Sequence, residues 1–114
     1  MRLGSIAALG DGWNGPHSRA VTEVAKRNFG TFVRSIGPDL RPDAEPLPTE
    51  DGGIRMEWDG PGSRSFIAEL QGDGGLYLCV LGPTPSDDAD IELAAGSWTH
   101  DRLTEFFREG TIDA

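Results

Sequence analysis

The sequence predicts a single α+β domain. Its expected sheet is an antiparallel meander of three to four strands, packed by an N-terminal helix at about 18–36 and a C-terminal helix at about 98–109. Three observations predict it. Val21, Val24, Ala25, Phe29, Phe32, Val33 and Ile36 recur at helical spacing and form one apolar stripe. Three strand-like segments between residues 54 and 81 are joined by glycine-rich turns too short for a crossover, which forces antiparallel neighbours. A second helical stripe, Trp98, Leu103, Phe106 and Phe107, closes the chain. At 114 residues there is room for one core.

The elements follow in order. Leu3, Ile6 and Leu9 recur every three residues, as in one or two helical turns closed by Gly10 and Gly12. The run Asp11-Gly12-Trp13-Asn14-Gly15-Pro16 is dense in turn formers, and Trp13 is expected to pin this segment to the core. Ser18 offers a hydroxyl to cap the first long helix. Gly37 and Pro38 stop that helix. Gly30 lies within it, at a cost of about 1 kcal/mol relative to Ala, and implies either a close neighbour or an irregular turn. Pro38, Pro42, Pro46 and Pro48 make the next stretch an extended linker or an edge strand.

Asp51-Gly52-Gly53 turns the chain into Ile54-Arg55-Met56-Glu57-Trp58, which alternates apolar and charged as a half-buried strand does. After Asp59-Gly60-Pro61-Gly62 comes a strand at 64–71 with Phe66, Ala68 and Leu70 towards the core. Gly72-Asp73-Gly74-Gly75 leads into Leu76-Tyr77-Leu78-Cys79-Val80-Leu81, apolar on both faces and so expected to be the central or best covered strand. An acidic loop at 82–90 precedes a short edge strand with Ile91 and Leu93 inward and Asp90 and Glu92 outward. Ser97 or Thr99 caps the last helix and Gly110 ends it. Both helices should cover one sheet face, because Arg55 and Glu57 require water on the other.

Composition narrows the function classes. Apolar residues are 37% of the chain, with 16 glycines and 8 prolines, which implies a compact core with much turn around it. The net charge is −9, which opposes direct binding to nucleic acid or to an anionic membrane, since both need clustered Lys and Arg. It suits a basic protein partner, or plain solubility. Cys79 is the only cysteine, so no internal disulfide is available. The longest apolar run, about six residues, is far short of a membrane span. The first nine residues are too short an apolar stretch for a signal peptide, and the expected location is cytoplasmic.

No constellation for catalysis emerges. Cys79 stands among Leu78, Val80 and Leu81, where burial makes a thiol inert. His17 and His100 sit at expected helix starts and read as surface residues. The run Asp87-Asp88-Ala89-Asp90-Ile91-Glu92 lacks the glycine and the alternating oxygens of a calcium loop, and reads as solvated acid. The glycines of 72–75 join two strands and lack the Lys and hydroxyl of a phosphate loop. No His and Cys spacing suggests zinc, and no cofactor is expected. The candidate contacts for a basic protein are Asp87, Asp88, Asp90, Glu92, Glu105 and Glu109.

Three stretches carry a resemblance. They are Leu9-Gly10-Asp11-Gly12-Trp13-Asn14-Gly15, Pro48-Thr49-Glu50-Asp51-Gly52-Gly53-Ile54-Arg55-Met56-Glu57-Trp58, and the hairpin from Ile67-Ala68-Glu69-Leu70 to Leu76-Tyr77-Leu78. Over residues 3–81 the chain resembles a group of small bacterial proteins that share a Leu-x-Asp-Gly-Trp-Asp-Gly opening and a Pro-Thr-x-Asp-Gly-Gly-Ile-x-x-Glu-Trp strand. Asn14 departs from the Asp of that opening. The shared motifs are turns, tryptophans and a hairpin, and they transfer no catalytic residue. The resemblance implies a partner gene nearby, in an arrangement like a toxin–antitoxin pair.

The leading expectation is therefore a non-enzymatic protein binder, an antitoxin- or immunity-like neutraliser. The alternatives are a phage-type acidic inhibitor that mimics DNA, a small enzyme or ligand-binding protein uniting His17, His100 or Cys79 with a carboxylate, and a structural subunit with an exposed apolar face. Trp13 and Trp58 are expected as core anchors, and an exposed one would become an interface hot spot.

Overall fold

The computed structural model describes residues 19–37, 44–110 and 112. The helical turn expected at 3–9, Trp13, His17, the Ser18 cap, Pro38 and Pro42 lie outside the described residues. Helix α1 spans Glu23–Ile36, strands β1 to β5 span Pro46–Pro48, Ile54–Gly60, Arg64–Leu70, Leu76–Leu81 and Ala89–Leu93, and helix α2 spans His100–Glu109. The class is α+β, as expected.

Helix α1 starts at Glu23, not at about 18. The chain at 19–22 is extended, and its backbone donors are used elsewhere: Arg19 N–H donates to Glu50 O at 2.7 Å and Thr22 N–H to Gly52 O at 3.0 Å. Thr22 is the cap. Its hydroxyl oxygen accepts the Ala25 N–H at 3.2 Å and donates to the Gly72 carbonyl at 2.8 Å. Replacing Thr22 with Ala removes both bonds, and a loss of about 1–2 kcal/mol is expected in urea unfolding. Thr22→Ser keeps the hydroxyl and should recover most of it. Gly30 makes no close helix–helix approach, since a Cβ there would meet only the Arg34 guanidinium, at 3.4 Å.

The sheet has five antiparallel strands in sequential order, not three to four. The additional strand is β1, whose Pro46, Leu47 and Pro48 pair with Met56, Arg55 and Ile54. Prolines are tolerated there because β1 is an edge. The central strand is consequently β3, and β4 lies one place from the other edge.

Register sorts the side chains into two faces. Ile54, Leu70, Leu76 and Leu93 form one inner row, and Met56, Ala68, Leu78 and Ile91 the next. Trp58, Phe66 and Val80 continue the same face. Onto it pack Ala25, Phe29, Phe32 and Ile36 of α1, with Leu103, Phe106 and Phe107 of α2. Both helices thus cover one face, and Trp58 is a core anchor. Its ring stacks on Phe66 at 5.8 Å and meets Phe107 at 4.9 Å and Phe106 at 5.7 Å.

Helix α2 begins at His100, two residues later than expected, with the Thr99 hydroxyl accepting the Arg102 N–H at 3.3 Å. Trp98 precedes the helix and is tied to the β3–β4 turn, its indole N–H donating to Gly74 O at 3.0 Å. Gly110 ends α2 in the left-handed conformation, φ 72°. Among the described residues no helix is long and apolar enough to cross a membrane.

Candidate acidic surface

The strands that bury Ile54, Met56 and Trp58 on one side present Arg55, Glu57 and Asp59 on the other, because side chains alternate. Register aligns them with the outer residues of the neighbouring strands. Arg55 stands opposite Glu69, which faces Tyr77, which faces Glu92. Glu57 stands opposite Ile67, then Cys79, then Asp90. Asp59 faces Ser65, and Ser65 faces Leu81.

The result is an apolar stripe inside an acidic frame. Ile67 is 7% and Cys79 6% exposed, while Leu81 is 40% exposed. A hollow of about 380 Å³ lies among Glu57, Asp59, Ser65, Ile67 and Leu81. A second of about 270 Å³ lies among Tyr77, Cys79, Leu81, Asp88 and Asp90. Leu81 is the shared wall. Glu57, Asp59, Glu69, Asp88, Asp90 and Glu92 surround the stripe, and Arg55 is the cation among them, 3.3 Å from Glu57 and 3.8 Å from Glu69.

The hydrogen bonds fix much of this frame. Tyr77 donates its phenol proton to Asp90 at 3.1 Å, and Gln71 donates to Glu92 at 3.0 Å. Ser65 donates to Asp59 at 3.2 Å. Asp88 accepts the Gly82 N–H at 2.9 Å, and Asp87 accepts from the Thr84 hydroxyl at 2.8 Å. Tyr77 is held well above the ordinary phenol range. The Cys79 thiol beside it contributes most, followed by partial burial and the bond to Asp90.

Glu69 is the least exposed of these carboxylates, at 16%. Burial raises its pKa first and the Asp51 carboxylate next; Arg55 opposes them and Glu92 adds to the rise. A carboxyl raised on folding favours the native state below the ordinary carboxylate range, and loses that contribution as pH climbs through its raised value. Glu69→Gln is therefore expected to stabilise the fold at pH 7, with the gain fading under acid. Urea midpoints at both pH values check it. A less stable variant at pH 7 would mean that the Arg55 attraction outweighs desolvation.

The six residues expected from the sequence fall into two groups. Asp87, Asp88, Asp90 and Glu92 lie along the β4–β5 connection and β5, with Asp90 and Glu92 on the outer face. Glu105 and Glu109 are exposed on α2, in the helix layer on the other side of the sheet, so they do not join that surface. Sequence reasoning missed Glu57, Asp59 and Glu69. Their signal was the alternation of β2 and β3, which places them beside Asp90 only once the strand order is known. His100 is not a free surface residue: its ring lies 4.8 Å from Trp98 and its Nε2 is buried. Cys79 is buried, yet faces away from the helices and from His100.

The described residues form an α+β protein with both helices on one face of the sheet and an acidic outer face with an apolar centre. No family model, curated protein or solved structure matches the chain. Among the described residues no three His, Cys, Asp or Glu side chains converge as they would around a metal ion.

Proposed function

We propose that the protein is a non-enzymatic, antitoxin- or immunity-like neutraliser that seats a basic partner protein on the outer face of its sheet. The observation that carries this reading is the frame of six carboxylates, against Arg55 as the one cation among the described residues of that face, around an apolar stripe whose Leu81 is exposed. A charged rim around an apolar centre is the usual anatomy of a protein interface. The carboxylates steer a basic partner and set its orientation, and Leu81, with part of Tyr77, supplies area that water leaves on binding. The reading also fits the net charge of −9.

The structure selects the substitutions that test it. Asp87 and Asp88 hold the 82–88 loop through Thr84 and Gly82, so reversing them would disturb the loop as well as the charge. Glu57, Asp90 and Glu92 are exposed. Changing all three to Lys breaks only exposed side-chain pairs, with Arg55, Gln71 and Tyr77, and should shift the unfolding midpoint little. Association with a stoichiometric basic protein captured from the native host should slow by about tenfold or more at low salt. Equal capture by the wild type and the triple-Lys variant would refute the proposed surface.

A further inference from the structure

The two edges of the sheet are built differently. β1 is three residues long, and Pro46 and Pro48 have no N–H to offer. β5 is five residues long, Ala89–Leu93, and contains no proline. Among the described residues β5 pairs with β4 alone, and no strand pairs along its other edge. An antiparallel strand turns the backbone groups of alternate residues away from its partner, so half of those of β5 face outward. One edge is closed to further pairing and the other is open.

Alternation along β5 states what the open edge can accept. Asp90 and Glu92 point to the outer face, and Asp88 continues the acid just before the strand. Ile91 and Leu93 point to the inner face, where they pack partly buried against the margin of the core. A second copy of this chain is a poor occupant, since pairing β5 with β5 would bring carboxylates beside carboxylates. A strand alternating basic and apolar residues is complementary on both faces. Its cations would meet Asp90 and Glu92, and its apolar side chains would extend the inner layer past Ile91 and Leu93.

The geometry points to β5 as a strand-addition site for an extended segment of a protein partner, with Lys or Arg at every second residue. This rests on the neutraliser reading and gives it a binding mode: main-chain hydrogen bonds supply affinity and the alternating side chains supply selection. The acidic face is then the continuation of the site, available to the folded remainder of the partner.

The probe is a short capped peptide alternating Lys and Val, tested on the full-length protein with amide exchange followed residue by residue. Binding should slow exchange at the outward-facing amides of β5. N-methylating the peptide at alternate residues should weaken binding by about tenfold or more in one phase and much less in the other, because only one phase faces β5. A Glu–Val peptide should not bind. Equal binding by both methylated peptides, or binding without slowed exchange in β5, would overturn strand addition while leaving the basic-partner reading in place. Failure of the Lys–Val peptide to bind would overturn it too. Insensitivity of partner capture to the triple-Lys change would instead remove the reading on which it rests.

Discussion

Replacing Trp58 with Ala is expected to remove about 4 kcal/mol of stability, enough to unfold much of the population of a small domain. Trp58 is buried where β2 meets both helices, and its ring touches Phe66, Phe106 and Phe107. Phe107 in turn meets Phe32 of α1 edge-on, with centroids 5.2 Å apart. Truncation therefore empties the centre of an aromatic cluster that joins β2, β3 and α2 directly and reaches α1 through Phe107. The surrounding residues are large and held by the sheet register, so they close the space poorly. Trp58→Phe keeps a ring there and should cost roughly half as much or less. Equilibrium urea unfolding of both variants measures the difference. A loss under about 1 kcal/mol for the Ala variant would mean that the aromatic cluster repacks freely.

The second large effect is expected at Gly72. A Cβ there would stand 2.4 Å from the backbone oxygen of Asp51 and 3.2 Å from the Gly52 carbonyl carbon. Both are main-chain atoms of the 49–53 turn, which is held by its own bonds: Gly53 N–H to the Thr49 hydroxyl at 2.8 Å, and Gly52 N–H to Thr49 O at 3.2 Å. Gly53 faces a matching restriction, 2.6 Å from Leu70 O. Neither turn can yield without pulling on a strand. Gly72→Ala should cost about 3 kcal/mol, at the upper end of overpacking penalties. Gly96 is the control. It has open space around its Cβ position and φ 80°, so Gly96→Ala should show only the smaller strain of a left-handed residue. Similar losses at both glycines would remove the steric argument.

Much of this fold was legible in the sequence, and the places where it was not share a cause. The α1 stripe, the alternation of β2 and the glycine turns are local signals, and each predicts its element, though not where α1 begins. The start of α1 was misplaced because Ser18 and Thr22 both carry a capping hydroxyl. The choice of Thr22 was made by Glu50 and Gly52, about thirty residues along the chain, which take the backbone donors of Arg19 and Thr22. Pro46-Leu47-Pro48 has no alternation that separates a linker from an edge strand, and its pairing with β2 is a tertiary fact. The acidic surface was found by half. Asp87 to Glu92 form a visible run, whereas Glu57, Asp59 and Glu69 are scattered, and only the register of β2, β3 and β4 brings them to the same face. Glu105 and Glu109 are candidate contacts by charge alone, and the layering places them on α2, on the other side of the sheet from Asp90 and Glu92.

The sequential strand order also bears on how the molecule comes into being. Each strand pairs with the one just before it, so every hairpin closes a short loop and the sheet can grow one strand at a time as the chain is synthesised. Its two described helices flank the strands in the chain and pack against each other, with the Phe32 and Phe107 rings edge-on at their interface. The inner face of the sheet is then uncovered on that side until α2, which follows β5 in the chain, has emerged. That part of the apolar face stays open until α2 docks, whereas the acidic outer side is complete once β5 has emerged, and its charge repels neighbouring nascent chains in the interval.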